Sequence, residues 1–190
     1  MVARRRPARR VSAPASREPG RADCLTAFRM SAGRRAGARR PRPRGRGIPG
    51  TRAGAYVRPV RAGDRGTVLV IDDEVDVAES AVALFQSDGY AAVAADNGQA
   101  AFELLRTGAI RPCVIVLDLM MPVMDGWAFR AAQLCDATLA SIPVIVVSAA
   151  GPSNVAAAAE AMRAVAGIAK PVDGDELLRV VGAHCRLTLH

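Results

Sequence analysis

Between residues 67 and 171, short apolar runs repeatedly stop at one reactive polar group. Val68-Leu69-Val70-Ile71 stops at Asp72-Asp73, Val114-Ile115-Val116-Leu117 at Asp118, and Val144-Ile145-Val146-Val147 at Ser148. The weaker run from Val165 to Ala169 stops at Lys170-Pro171. Runs this short, rich in branched residues and closed by turn chemistry, predict strands buried on both faces. Tyr90-Ala91-Ala92-Val93-Ala94 predicts a further, short strand.

Between these runs the period becomes helical. Val77, Ala78, Ala81, Val82 and Phe85 make one stripe, closed by Asp88-Gly89. Asp96 with Gln99 predicts a capping box for a helix through Leu105 that ends near Gly108. Further helices are expected from Asp125 or Gly126 to Cys135 and from Pro152 to Arg163. Asp173 with Glu176 predicts the cap of a last helix, with Leu177, Leu178, Val181 and Cys185 on one face.

Five βα units in succession imply a parallel sheet with helices on both faces and right-handed crossovers. The length suits an α/β, flavodoxin-like, doubly wound five-stranded sheet of order 2-1-3-4-5; a TIM barrel needs roughly twice as many residues. In that order the strands' carboxyl ends share one edge, where open α/β folds bind ligands, and Asp118 lies at its middle.

Composition divides the chain in two. Residues 1–66 hold 19 arginines against 3 acids, a net of +16, whereas residues 67–190 hold 7 basic residues against 15 acids, a net of −8. The first segment, rich in Arg, Ala, Gly and Pro, cannot bury enough apolar surface to offset the entropy of ordering it. It is read as a disordered N-terminal extension, with one folded domain over residues 67–190. Three readings of the extension stand open: an arm that binds nucleic acid or an anionic membrane, a targeting peptide, or upstream sequence joined by a wrongly chosen start, for which Met30 offers a later one. Gly45-Arg46-Gly47-Ile48-Pro49-Gly50 matches a dinucleotide fingerprint, but Pro41, Pro43 and Pro49 deny it the strand and helix that it needs.

No run approaches the roughly 18 apolar residues needed to span a bilayer. The arginine clusters at residues 4–6 and 9–10 are followed by no apolar region, which argues against a secretory signal. The four cysteines, at 24, 113, 135 and 185, form no Cys-x-x-Cys pair. Cys113 and Cys185 fall among apolar residues and are expected to be small buried hydrophobes in a reducing cytosol.

Three carboxylates crowded at one sheet edge repel one another unless a cation neutralises them. Oxygen-only ligands suit Mg2+, which favours carboxylates plus a phosphate. A carboxylate so placed can attack phosphorus and form an acyl phosphate. The transferred phosphoryl group needs its oxygens neutralised, a task open to Lys170, to the Ser148 hydroxyl and to nearby backbone N–H groups.

The motifs that carry this chemistry are Val70-Ile71-Asp72-Asp73-Glu74, Leu117-Asp118-Leu119-Met120-Met121-Pro122-Val123-Met124-Asp125-Gly126, Val147-Ser148-Ala149 and Lys170-Pro171. In this order and at these spacings they resemble the receiver domain of two-component response regulators, over about residues 67–186. The resemblance implies that Asp118 is phosphorylated by a histidine kinase or phosphotransfer protein. It implies a Mg2+ site made by Asp72, Asp73, Asp118 and the backbone carbonyl of Met120. Lys170 would pair with the phosphoryl group, its bond to Pro171 would be cis, and Ser148 would swing in to hydrogen-bond a phosphoryl oxygen. Ala149 is small and would leave the phosphoryl group open to its donor and to water. The family usually places an aromatic residue three positions before the lysine; here that position is Gly167.

Taken singly, Asp72, Glu74 and Asp125 also suit helix caps, Ser148 a strand-end cap and Lys170 a solvated charge. The functional expectation is a stand-alone cytoplasmic receiver. It would not be an enzyme beyond self-phosphorylation and self-dephosphorylation, and its target would dock on the face of the fourth helix, fifth strand and fifth helix. Two other classes remain beside it: a nucleic-acid-binding regulator that uses the basic arm, and a Mg2+-dependent phosphatase, for which the sequence offers no substrate lid.

Overall fold

A computed structural model describes residues 55–57 and 65–185 of the 190-residue chain. Its elements are β1 (Ala55–Val57), β2 (Thr67–Ile71), α1 (Val75–Ser87), β3 (Ala91–Ala95), α2 (Gly98–Arg106), β4 (Val114–Asp118), α3 (Gly126–Cys135), β5 (Val144–Ser148), α4 (Pro152–Ala161), β6 (Ala166–Ala169) and α5 (Gly174–His184). They form one sheet of order β1-β3-β2-β4-β5-β6. All pairings among β2 to β6 are parallel, so the five parallel strands, counted among themselves, run 2-1-3-4-5 as expected.

Every residue of β2, β4 and β5 is buried, which explains why these strands read as unbroken apolar runs rather than alternating ones. Alternate side chains still go to opposite faces. Leu69, Ile71, Ile115, Leu117, Val144 and Val146 join one core, shared with Phe102 of α2, Phe129 of α3 and Val155 of α4. Val68, Val70, Val114, Val116, Ile145 and Val147 join the other, shared with Phe85 of α1 and Val181 of α5. Each such fully buried side chain contributes about 1.5–3 kcal/mol of transfer free energy. The sheet edge that carries the polar groups is therefore held from both sides.

Several local expectations shift. The cap of α2 is Asn97, not Asp96: Asn97 Oδ1 accepts from Ala100 N at 2.9 Å, while Asp96 Oδ1 accepts from Asn97 Nδ2 at 2.6 Å. The buried stripe of α1 is Ala78, Val82 and Phe85; Val77 lies on the exposed side. Asp173 does cap α5, accepting from Glu176 N at 2.9 Å. Most of the basic extension lies outside the described residues. Within it, Ala55–Val57 pairs antiparallel with β3 and adds an edge strand.

Cys113 and Cys185 depart from the expected pair of free thiols, because the structure joins them as a disulfide across 72 residues of chain. Their apolar neighbours signalled burial, which holds for Cys185, whereas Cys113 is half-buried. What the linear sequence could not show is that the start of β4 and the end of α5 meet at the same point.

Candidate functional site

The polar groups that end the apolar runs converge. The register pairs Ile71 with Leu117 and Asp118 with Val147, so Asp72 and Asp118 leave the sheet side by side and Ser148 follows one strand over. All three are buried. Lys170, just past β6, reaches back over them, its Nζ 2.7 Å from Asp118 Oδ2, 2.9 Å from Asp72 Oδ2 and 3.4 Å from Glu74 Oε1.

The two buried aspartates are held alike. In each, Oδ2 faces the ammonium while Oδ1 accepts from the backbone N–H two residues on: Glu74 N to Asp72 at 2.9 Å, and Met120 N to Asp118 at 3.1 Å. Both carboxylates are thus oriented from below by the turn that follows their strand. Ser148 Oγ accepts from Ala150 N at 3.3 Å, and the Lys170 N–H donates to the Ser148 carbonyl at 2.8 Å. The Lys170–Pro171 peptide is cis.

The loop after Asp118 is fixed by close backbone approach. Gly126 N donates to Leu119 O at 3.1 Å, and a side chain at Gly126 would put its first carbon 2.8 Å from Leu119 Cα. Only glycine fits there. Asp125 caps α3, accepting from Ala128 N at 2.8 Å, and so serves as cap chemistry rather than as a ligand. Met120 and Val123 of this loop, and Trp127 beyond it, are exposed apolar side chains beside the acids.

Electrostatically, Lys170 is the keystone. Burial works against its ammonium form, but hydrogen bonds to Asp118 and Asp72 and the charges of both outweigh burial and hold its pKa above lysine's ordinary value. Burial pushes Asp72 upward, with the Lys170 hydrogen bond and the Glu74 amide pulling the other way. These two directions differ in what they imply for the pair. The geometry supports the lysine's direction, since one Nζ is shared by three acids.

One oxygen each from Asp72, Glu74 and Asp118 lie within 4.8 Å of one another. Such a hard, all-carboxylate donor set fits Mg2+. Glu74, which the sequence suits to a helix cap, closes the acidic run Asp72-Asp73-Glu74; it occupies the N-cap position of α1 but makes no side-chain cap bond. Asp73 is absent from that group. It is half-buried, and its charge adds to burial in raising the pKa of Asp96, at the end of the neighbouring strand β3. Sequence reading also missed Arg130 and Gln133, buried polar residues of α3. They stand among apolar residues in a helix, and no local signal marks them.

A doubly wound sheet whose carboxyl edge presents buried aspartates under a lysine, beside an exposed loop, defines a phosphoacceptor module of the response-regulator class. The family model for the response regulator receiver domain matches residues 68–182, and the chain belongs to this family. It is similar to response regulator Rre1 of Synechocystis, 31% identical over 116 residues, covering 60% of this chain and 49% of Rre1. It is also similar to protein PilH of Pseudomonas aeruginosa, 27% identical over 116 residues, covering 61% of this chain and 94% of PilH. The chain thus spans about half the length of one relative and nearly all of the other. Among solved structures, the receiver domain of Francisella response regulator 1452 superposes with a TM-score of 0.57 at 28% identity, covering 63% of this chain and 96% of that one. Membership brings phosphoacceptor signalling, an acidic pocket of the kind that binds Mg2+, and histidine kinases or phosphotransfer proteins as the general class of partner. Among the described residues no helix is long and apolar enough to cross a membrane.

Proposed function

We propose that this chain is a cytoplasmic response regulator that accepts a phosphoryl group on Asp118 and thereby switches a protein-interaction surface. The observation that carries the reading is the bridge from Lys170 to Asp72 and Asp118. It brings the acceptor, a second acid and a cation from three separate segments to one point. An Asp118 carboxylate oxygen attacks phosphorus, the phosphorus–nitrogen bond of a donor phosphohistidine breaks, and the imidazole nitrogen keeps the electron pair.

Mg2+ would be held by Asp118, Asp72 and Asp73 with the Met120 carbonyl, and Glu74 is close enough to contribute. Bound there, the ion neutralises carboxylate and phosphoryl charge. Lys170 pairs with a phosphoryl oxygen in exchange for its contact with Asp118. The Ser148 hydroxyl gives up the Ala150 N–H and donates to another oxygen, while exposed Ala149 leaves the approach open. A phosphoryl group shifts the fold only by its differential contacts in two states, and Lys170 and Ser148 supply them. The surface that responds is formed by α4, β6 and α5, and the chemistry is self-phosphorylation and self-dephosphorylation, not turnover of an external substrate.

The test is intact mass after incubation of the full chain with Mg2+ and a small acyl phosphate. One phosphoryl addition, lost on chelation and in Asp118→Asn, is expected. Addition that persists in a folded Asp118→Asn protein would overturn the assignment of the acceptor.

A further inference from the structure

At the opposite end of β4 from Asp118, two cysteines meet. Cys113 immediately precedes the strand, and its N–H donates to Thr67 O at 2.8 Å, which pins it to the start of β2. Cys185 ends α5, its N–H donating to Val181 O at 2.7 Å. Their Cα atoms are 4.9 Å apart, within the roughly 4.4–6.8 Å that a disulfide spans. Gly66 lies against both cysteines at φ +123°, where a side chain would put its first carbon 2.9 Å from both sulfurs. Backbone conformation and missing side chain together leave room for the sulfur pair.

The dithiol form is also provided for. Thr67 O lies 3.2 Å from Cys113 Sγ, and Arg65 O lies 3.7 Å from Cys185 Sγ, so each thiol has an acceptor when the bond is open. Cys113 is half-buried whereas Cys185 is buried, which makes Cys113 the sulfur that an outside reagent reaches first.

We propose that Cys113 and Cys185 form a reversible redox site that clasps the carboxyl end of α5 to the sheet. The oxidant is a low-molecular-weight disulfide of the glutathione type. The Cys113 thiolate attacks one of its sulfurs, forming a mixed disulfide and expelling one small thiol. The Cys185 thiolate then attacks the Cys113 sulfur and expels the second. Two electrons and two protons pass from the protein to the small disulfide, and an excess of small thiol reverses both steps. The clasp holds an element of the face proposed to respond to phosphorylation. It acts about 17 Å from Asp118, five strand residues away, and does not depend on that residue.

The full chain, first reduced, is incubated with oxidised glutathione, freed of it, alkylated and digested without reduction, so that mass spectrometry identifies which cysteines are linked. A linked Cys113–Cys185 peptide pair is expected, together with a melting temperature about 10 °C above that of the reduced protein and slower hydrogen exchange over residues 174–184. Reduction should reverse all three, and Cys113→Ala should remove the linked pair and the slower exchange over residues 174–184. The comparison within the unsubstituted chain needs no variant, so a poorly folding Cys113→Ala leaves the test intact. Alkylation of both Cys113 and Cys185 after oxidation, linkage of either to another cysteine instead, or equal melting of the two forms would overturn the proposal. Mg2+-dependent phosphorylation should proceed equally in both forms, so failure of the redox site and failure of the phosphoacceptor reading are distinguishable.

Discussion

Arg130 of α3 donates from Nε to the Met162 carbonyl at 2.9 Å, at the carboxyl end of α4. Its other nitrogens donate to Arg163 O and to Gln133 Oε1, both at 2.7 Å, and Gln133 Nε2 donates in turn to Leu139 O at 3.0 Å and Ile142 O at 3.1 Å. No acid pairs with this buried guanidinium among the described residues. Its charge is met by the negative end of the α4 dipole. The clamp fixes the far end of the helix that follows Ser148, whereas the near end, at Gly151, has no side-chain cap and begins with exposed residues. The two ends of α4 are thus held unequally, the far one by two hydrogen bonds from Arg130 and the near one without a side-chain cap.

Arg130→Met keeps the apolar stem but strands three acceptors in the interior. The expected loss is about 3 kcal/mol in urea unfolding, with faster hydrogen exchange concentrated at residues 158–164. Arg130→Lys should recover less than half of it, since one ammonium cannot reproduce a planar fork aimed at three oxygens. Full recovery by lysine would show that charge alone, and not the fork, holds the helix end.

Gly167 occupies the position where the family usually carries an aromatic, and α4 itself has taken the space. A first side-chain carbon at Gly167 would lie 2.9 Å from both Val155 Cγ1 and Val155 O, and 3.1 Å from Ala159 Cβ. A backbone oxygen cannot give way unless the helix shifts. Gly167→Ala should therefore destabilise the fold by about 1–3 kcal/mol, read as a lower urea midpoint at unchanged slope. An unchanged midpoint would mean that α4 rides loosely on β6.

The strand ends were legible in the sequence because each apolar run stops at a polar residue, three of the runs being buried on both faces while the run before Lys170 is only partly buried, and a parallel sheet brings such ends to one edge. Asp72, Asp118, Ser148 and Lys170 follow from that alone. The Arg130–Gln133 clamp and the Cys113–Cys185 pair were not legible, since each joins groups far apart in sequence. The capping residue of α2 slipped by one for a different reason: Asp96 and Asn97 both favour caps, and only the extended φ of −168° at Asn97 decides between them. The approach of Glu74 to the two buried aspartates was not legible, because its position before α1 also suits a cap.

Val123, two residues before the α3 cap, holds φ at +70° and is exposed. A β-branched residue is strained there by about 1–3 kcal/mol. Val123→Gly removes the strain but adds unfolded-state freedom worth up to about 1 kcal/mol. The net expectation is a gain of about 1 kcal/mol in urea unfolding, whereas Val123→Ala, which keeps a Cβ, should recover little. Equal gains from both would place the cost in the exposed isopropyl group rather than in the backbone. Comparing phosphorylation rates of the valine and glycine forms would then show whether this strain in the loop after Asp118 bears on the proposed phosphorylation.

Asp136 closes α3 and opens the turn that delivers Leu139 O to Gln133. Its Oδ1 accepts from Thr138 Oγ1 at 2.6 Å and from Thr138 N at 2.9 Å. The Thr138 hydroxyl, followed by the Thr138 amide, holds its pKa below the ordinary aspartate value. A depressed carboxyl pKa stabilises the fold above the unfolded-state value, near 3.9, and that contribution is lost as pH falls through the folded-state value. Thr138→Val removes the hydroxyl and leaves the amide. The Asp136 titration, followed by NMR of its carboxyl carbon, should move up toward ordinary aspartate without reaching it. The stability difference between the two proteins should be largest near neutral pH, shrink below about pH 4 and vanish once both carboxyls are protonated. A difference that stays constant down to low pH would assign the loss to packing of the threonine methyl rather than to the hydrogen bond.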